Sequence, residues 1–414
     1  MFGWIPSRRH RGATAACAAA VLLAGSFGSE RGAAQSVIER LADGRIRPSG
    51  TPGLRVAYLP IVLPSAHAAN VLQLRNGELL CTYYAGVWEG RPGVAIVLAR
   101  LARGSSQWTP PVVVAQAAGR ALENPVLFEA PGGTLWLFYT TQSGDAGQAD
   151  AEILAQTSAD AGRTWGKPRA LVAHAGSFDR QRLVVAGDAW LFPVYFTPGM
   201  DASDTSAVEI TRDQGRTWKE CAIPGSNGLV QPDAIELAAH RFVAFFRSRY
   251  ADWVYSSRSE DGCTWTKPEA TEIPNNNSSI QVARLRDGHL VMAFNNIQAG
   301  TMRSKARSAA RWPLSVALST DGGKTWPWVR DVDIGAGVPQ ETVPQTMAGM
   351  DVREEMQDFL EHRIEYSYPS IVAMDDGTIA MEYTYRRRTI KYVAFDEGWI
   401  KQGTTLGYFT GDRQ

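Results

Sequence analysis

Among 414 residues there are six histidines, and His67 stands at the head of an apolar segment, SAHAANVLQLRNGELL, where a strand is expected to begin. An imidazole titrates near neutrality and can take or give a proton. Beside a sugar it could abstract a proton, as in a polysaccharide lyase, or assist hydrolysis of a neutral glycoside. The amides of Asn124, Gln231, Asn276, Asn277 and Asn295 offer paired donors and acceptors suited to sugar hydroxyls. Asn124 and Gln231 each precede a proline, which is expected to hold the backbone extended. Arg386, Arg387 and Arg388 form the largest local basic run. Strand alternation would put Arg386 and Arg388 on one face and Arg387 on the other, so Arg386 and Arg388 are taken as the pair reaching an anionic sugar. Trp88 and Trp312 could stack on sugar rings. The histidines lack short metal-ligand spacing, and neither a metal site nor a cofactor is expected.

These residues must be positioned by a repeated scaffold. Ser158-x-Asp160-x-Gly162-x-Thr164-Trp165 recurs as Thr211-x-Asp213-x-Gly215-x-Thr217-Trp218 and as Ser319-x-Asp321-x-Gly323-x-Thr325-Trp326. A decayed copy reads Arg258-x-Glu260-x-Gly262-x-Thr264-Trp265. Asp and Gly make tight turns, so these are read as hairpin staples rather than as chemistry. Between them a strand, a turn and an aromatic-rich strand alternate, as in NPVLFEAPGGTLWLFYT from Asn124 and YPSIVAMDDGTIAMEYTY from Tyr368. Tryptophans at turn-like positions and these strand pairs both count six units. Each unit has room for about four short strands, the size of a propeller blade. The fold class is therefore all-β, a six-bladed β-propeller over residues 58–414, preceded by a lead-in over 35–57. A helical insertion is expected at about 349–362, where GMDVREEMQDFLEH carries helix formers and apolar spacing.

Residues 1–34 read as a signal peptide: Arg8, Arg9 and Arg11, then an apolar run from Ala13 to Phe27, then small residues. The expected location is periplasmic or secreted, with no transmembrane segment in the mature chain. Cys81, Cys221 and Cys263 remain after it, and their spacing suggests mostly buried free thiols, with one bridge conceivable. Lys plus Arg equals Asp plus Glu, 42 each, without a basic block, which argues against a nucleic-acid partner.

The repeats resemble the Asp boxes of the sialidase (neuraminidase) superfamily, and more narrowly its bacterial BNR-repeat group. The narrower likeness lies in SAHAANVLQLRNGELL, WEGRPGVAIVLAR, GLVQPDAIEL, PNNNSSIQVARLRDG, RWPLSVALSTDGGKTWP and EYSYPSIV. The resemblance implies a glycan substrate, a carboxylate-binding set of arginines, a tyrosine nucleophile with a glutamate beside it, and an acid in a loop of the first blade. Tyr368 matches the tyrosine position, with Glu365 or Glu236 as its partner. Arg247 matches one clamp arginine, with Arg249 nearby. His67 stands where another arginine would be, and the third is missing from the run Asn275 to Ser279; Arg303 or Arg311 would have to compensate. Glu89 is the acid expected from the loop WEGRPGVAIV, with Arg91 beside it among the binding residues. The implied function is an exported glycoside hydrolase cleaving a terminal sialic acid or another sugar. The alternatives are a lyase using His67 and Tyr368, and a noncatalytic glycan-binding propeller.

Overall fold

The computed structural model describes residues 37–143, 147–172, 174–198, 204–298, 310–334, 346–347, 350–351, 364–403, 405 and 409. Residues 1–34, expected as the signal peptide, lie outside these. So does most of the expected helix at 349–362, of which Met350–Asp351 is described, in a two-residue ladder with Thr346–Met347.

Six antiparallel sheets of four or five strands follow one another along the chain, confirming the six-bladed propeller. The first runs from Ser65–Gln73 through Leu79–Gly86 and Ala95–Leu101 to Val112–Ala115. The sixth takes Tyr366–Ala373, Ile379–Tyr385 and Thr389–Phe395 from the C-terminal end, and Arg55–Tyr58 and Arg47–Pro48 from the N-terminal end. The ring is thus closed by hydrogen bonding between the two ends of the chain, and the lead-in supplies strands to the last blade. Closure completes the last blade with strands from both ends of the ring, and each blade keeps only short edges.

The first strands of successive sheets surround the axis and are tied by side chains reaching backbone groups. Asn70 Oδ1 accepts from Leu127 N (3.0 Å), Ser370 Oγ from Val71 N (3.0 Å) and Gln281 Oε1 from Ile371 N (2.7 Å). Apolar clusters fill the spaces between blades; Leu80, Tyr84, Ile96 and Leu98 of the first blade meet Leu122, Leu127, Leu137 and Tyr139 of the second. Strands buried on both faces need not alternate, which is why Leu79–Gly86 is buried at every position.

The repeated turns are staples. In the first, Asp160 Oδ1 accepts from the N–H of Arg163 and Thr164, Oδ2 accepts from the Thr164 hydroxyl (2.6 Å), and Ser158 Oγ accepts from Gly162 N (2.8 Å). The same bonds recur around Asp213 and Asp321. The glycine is obligatory: Gly323 has φ +79°, and a Cβ there would lie 2.4 Å from Phe245. The fourth copy has a different register from that expected. Ser259 and Asp261 hold its Ser and Asp positions, and the turn is one residue shorter, with Asp261 Oδ1 accepting from Cys263 and Thr264 N–H. Cys263 in this shortened turn is joined to Cys221 by a disulfide, which corrects the expectation of free thiols. Among the described residues Cys81 alone is free, and it is buried.

Candidate functional site

Four of the axial strands carry a β-bulge at the same level, each with one residue in the left-handed region: Ala68 (φ 58°), Asn124 (50°), Gln231 (54°) and Tyr368 (52°). The extended backbone expected of Asn124 and Gln231 is therefore not observed. A proline follows three of the four, and a bulge interrupts the ladder where proline has no N–H to give, so the pairing loses little there. Each bulge also redirects the side chains around it, and this is how functional groups come to one end of the axis.

Tyr368 is at the centre. Its hydroxyl accepts from Arg247 Nη1 (2.6 Å), and Asn277 Oδ1 accepts from Arg247 Nε (2.9 Å). The guanidinium carbons of Arg180, Arg247 and Arg311 lie 5.3, 5.6 and 5.4 Å from its ring centroid. Burial pushes the phenol up, but Arg247, with Arg311 and Arg249, outweighs this and holds it below its ordinary value. The His67 ring packs against it at 4.2 Å, with Nδ1 sharing a hydrogen bond with the Thr384 hydroxyl (2.7 Å). Burial first, then Arg387, Arg311, Arg180 and Arg247, push the imidazole well below its ordinary value, so His67 is neutral. Its Nε2 is buried, with no hydrogen-bond partner among the described residues.

Three carboxylates complete the cleft. Glu365 accepts from Arg311 Nη1 (2.6 Å), Arg387 Nε (3.0 Å) and the Ser367 hydroxyl (2.6 Å). Its burial opposes ionisation, but Arg311 and Arg387 bring it down to about 2. Glu89, whose side chain is 38% exposed, accepts from Arg387 Nη1 (2.7 Å); its partial burial pushes it up, and Arg387 with Arg311 holds it below the usual carboxylate range. Glu123 differs. Its Oε1 accepts from Gly90 N (2.6 Å), and burial, reinforced by Glu89, pushes it up to about 8.

Of the residues singled out in the sequence, Tyr368, His67, Glu89, Glu365, Arg247, Arg311 and Asn277 are brought together. Arg249 donates to Asp204 (2.7 Å) and adds to the positive field. Glu236 does not join them: it accepts from His240 N (3.3 Å), five residues, roughly 16 Å, along its strand from the bulge at Gln231. Arg91 is exposed at its loop tip, and the partner of Glu89 is Arg387. Asn276 Nδ2 donates to Ala310 O and Asn295 Nδ2 to Tyr366 O, so both brace backbone. The alternation expected for the arginine run fails because residues 386–388 form a turn with positive φ at Arg386 and Arg387, not a strand. Arg387 points to the cleft, while Arg388 is buried against Pro64 O and Glu39, and Arg386, also buried, bonds through its N–H to Glu365 O. Sequence reasoning missed Arg180, Arg387 and Glu123. For Glu123 a signal existed: it precedes the bulge residue Asn124 as His67 precedes Ala68.

A family model described as BNR repeat-like domain matches residues 77–381. The chain belongs to that family. The BNR repeat-like fold is shared with solved propellers at low identity. The Hadza microbial sialidase Hz136 superposes with a TM-score of 0.63 at 16% identity, covering 81% of this chain and 66% of that one. A protein of unknown function from Dyadobacter fermentans gives 0.62 at 16%, covering 84% and 100%. The intramolecular trans-sialidase from Ruminococcus gnavus gives 0.61 at 12%, covering 83% and 97%. Among curated proteins, a xyloglucanase of Acetivibrio thermocellus is 27% identical over 136 residues, which is 33% of this chain and 14% of that protein. No helix among the described residues is long and apolar enough to cross a membrane.

Proposed function

We propose that this BNR repeat-like protein is an exported glycoside hydrolase that cleaves a terminal sugar bearing a carboxylate. The observation that carries the reading is the Tyr368 hydroxyl, buried at the axis end and hydrogen-bonded to Arg247 at 2.6 Å. A phenol is a weak nucleophile unless its anion is stabilised, and here cations do this. Arg247, Arg311 and Arg387 would orient a substrate carboxylate by paired N–H donors. Attack of Tyr368 on the anomeric carbon would give a glycosyl-enzyme, later hydrolysed, in the manner of glycosidases that use tyrosine in place of a carboxylate. The disulfide supports export, since such bonds persist in oxidising compartments.

A second reading rests on His67. A neutral imidazole 4.2 Å from the tyrosine ring suits proton abstraction from an arginine-neutralised uronate, giving elimination instead of hydrolysis. A panel of sialosides, uronic-acid glycans and neutral glycosides decides between them, with products read by mass and by ultraviolet absorbance. Sugar release that is lost in Tyr368→Phe supports the hydrolase. An unsaturated, absorbing product lost in His67→Ala would replace it with the lyase. No product from the panel would overturn both in favour of glycan binding.

A further inference from the structure

The cleft holds three carboxyl groups but does not treat them alike. Glu365 is bonded to two guanidinium groups and Glu89 to one, so both have cations fixed against them. Glu123 has none at ion-pair distance among the described residues; its partners are the Gly90 N–H and the Gln142 amide. We propose that Glu123 is the acid that protonates the leaving oxygen in this cleft, and that Glu89 is its ionised neighbour. This deepens the hydrolase reading, rests on it, and moves the acid role away from Glu89.

The geometry argues for this division. Glu123 is 4% exposed and lies on the axial strand Arg120–Glu129, immediately before the left-handed Asn124. Gly90, whose N–H it holds, directly follows Glu89, so the two carboxyls are tied through one loop. The ionisable groups facing Glu123 are Glu89 on that loop, Arg387 on the sixth-blade turn and the Tyr84 phenol. Arg387 is engaged by Glu89 at 2.7 Å and by Glu365 at 3.0 Å. A second negative charge beside Glu89 is disfavoured in so buried a place, and Glu123 keeps its proton to about 8. Two carboxyls whose environments push them apart are the pattern of an acid beside a permanent anion.

The steps balance. The Glu123 proton moves to the glycosidic oxygen as the bond from that oxygen to the anomeric carbon breaks. The Tyr368 oxygen, as the phenolate held by Arg247, bonds to that carbon and the alcohol departs. The Glu123 carboxylate then takes a proton from water, the water oxygen bonds to the anomeric carbon, and the bond to Tyr368 breaks, restoring both groups.

The test uses the full chain labelled with ¹³C at the glutamate side-chain carboxyl and followed by NMR from pH 4 to 9. The resonance absent from Glu123→Gln is expected to titrate near 8 and to move down by at least one pH unit, a tenfold change in acidity, in Glu89→Gln. Glu123→Gln keeps an acceptor for Gly90 N; if it fails to fold, Glu123→Asp supplies the same assignment, because aspartate carries no label. A resonance titrating below 5, or one unmoved by Glu89→Gln, overturns the proposal. On any glycoside the protein cleaves, Glu123→Gln is expected to slow release of a sugar alcohol by about 10²–10⁴-fold. First-turnover release of 4-methylumbelliferone, which departs without protonation, should slow far less, although later turnovers still need the Glu123 carboxylate as base. Equal losses on both would also overturn the acid role while leaving the hydrolase reading intact. Absence of cleavage across the panel would overturn the hydrolase reading and this role with it.

Discussion

Arg180 offers the sharpest test of how this propeller holds its cleft. It is 1% exposed and comes from the third blade. Nε donates to Ser279 Oγ (3.2 Å), Nη1 to Ala69 O (2.9 Å), and Nη2 to Tyr368 O (3.0 Å) and Pro369 O (3.1 Å). One side chain thereby ties the third blade to the first, fifth and sixth, and fixes the carbonyls of the left-handed Tyr368 and of Pro369 after it. Arg180→Met keeps the length but leaves three buried carbonyls and a hydroxyl without their donor. Each abandoned acceptor costs about 1–3 kcal/mol. Against this, the substitution removes a buried charge, whose burial pulls the guanidinium down to about 10. The net expectation is a loss of about 3–5 kcal/mol, as when one partner of a buried charged network is deleted. That is a large part of the roughly 5–15 kcal/mol that holds a folded protein together. Urea unfolding followed by tryptophan fluorescence measures it. Arg180→Lys keeps the charge but loses the planar fork that reaches several carbonyls, so it should fall between. A loss below about 1 kcal/mol for Arg180→Met would refute the reasoning, because the four bonds would then contribute nothing beyond the burial they offset.

Further outcomes follow from the same geometry. Arg387→Met should abolish activity on a carboxylate-bearing glycan and, because it takes a buried cation from Glu365 and Glu89, also lower the unfolding midpoint, whereas Arg388→Met, which strips a buried contact to Pro64 O, should lower stability while leaving cleft chemistry in place. Reduction, or Cys263→Ser, opens the Cys221–Cys263 link and should cost about 2–4 kcal/mol in guanidinium unfolding. The pH dependence has a definite sign. Glu365, lowered to about 2 from 4.5, stabilises the fold above about 4.5 and loses this as pH falls towards 2. Glu123, Asp179 and Glu382, all raised to about 8 by burial, keep protons that the unfolded chain has released, so their contribution is full below about 4 and is lost as pH rises to 8. His67, lowered in the fold, opposes them only up to its unfolded value of 6.5. The melting temperature should therefore peak at mildly acidic pH and fall towards 8; a steady rise from 5 to 8 would contradict these protonation states.

The ring is legible in local spacing alone. The Ser/Thr-x-Asp-x-Gly-x-Thr-Trp turns are local devices whose bonds close within five residues, so their chemistry is readable from spacing alone. Six strand pairs between them determine six blades, and the family likeness points to Tyr368, Arg247 and Glu89 as residues to look for in the cleft. The tertiary structure decided everything that depends on which backbone bends and which charge meets which. Alternation assigned Arg386 and Arg388 to the cleft, but a turn with two left-handed residues presents Arg387. Glu89 reads as an acid in isolation, yet Arg387, 298 residues away in sequence, keeps it ionised while burial leaves Glu123 its proton. Arg180 carries no local motif at all, because its four bonds reach residues 99 to 189 positions distant. Spacing records interactions that close within a turn. Interactions closed by a ring of six sheets leave their trace only in three dimensions, where burial and opposing charge set what each group can do.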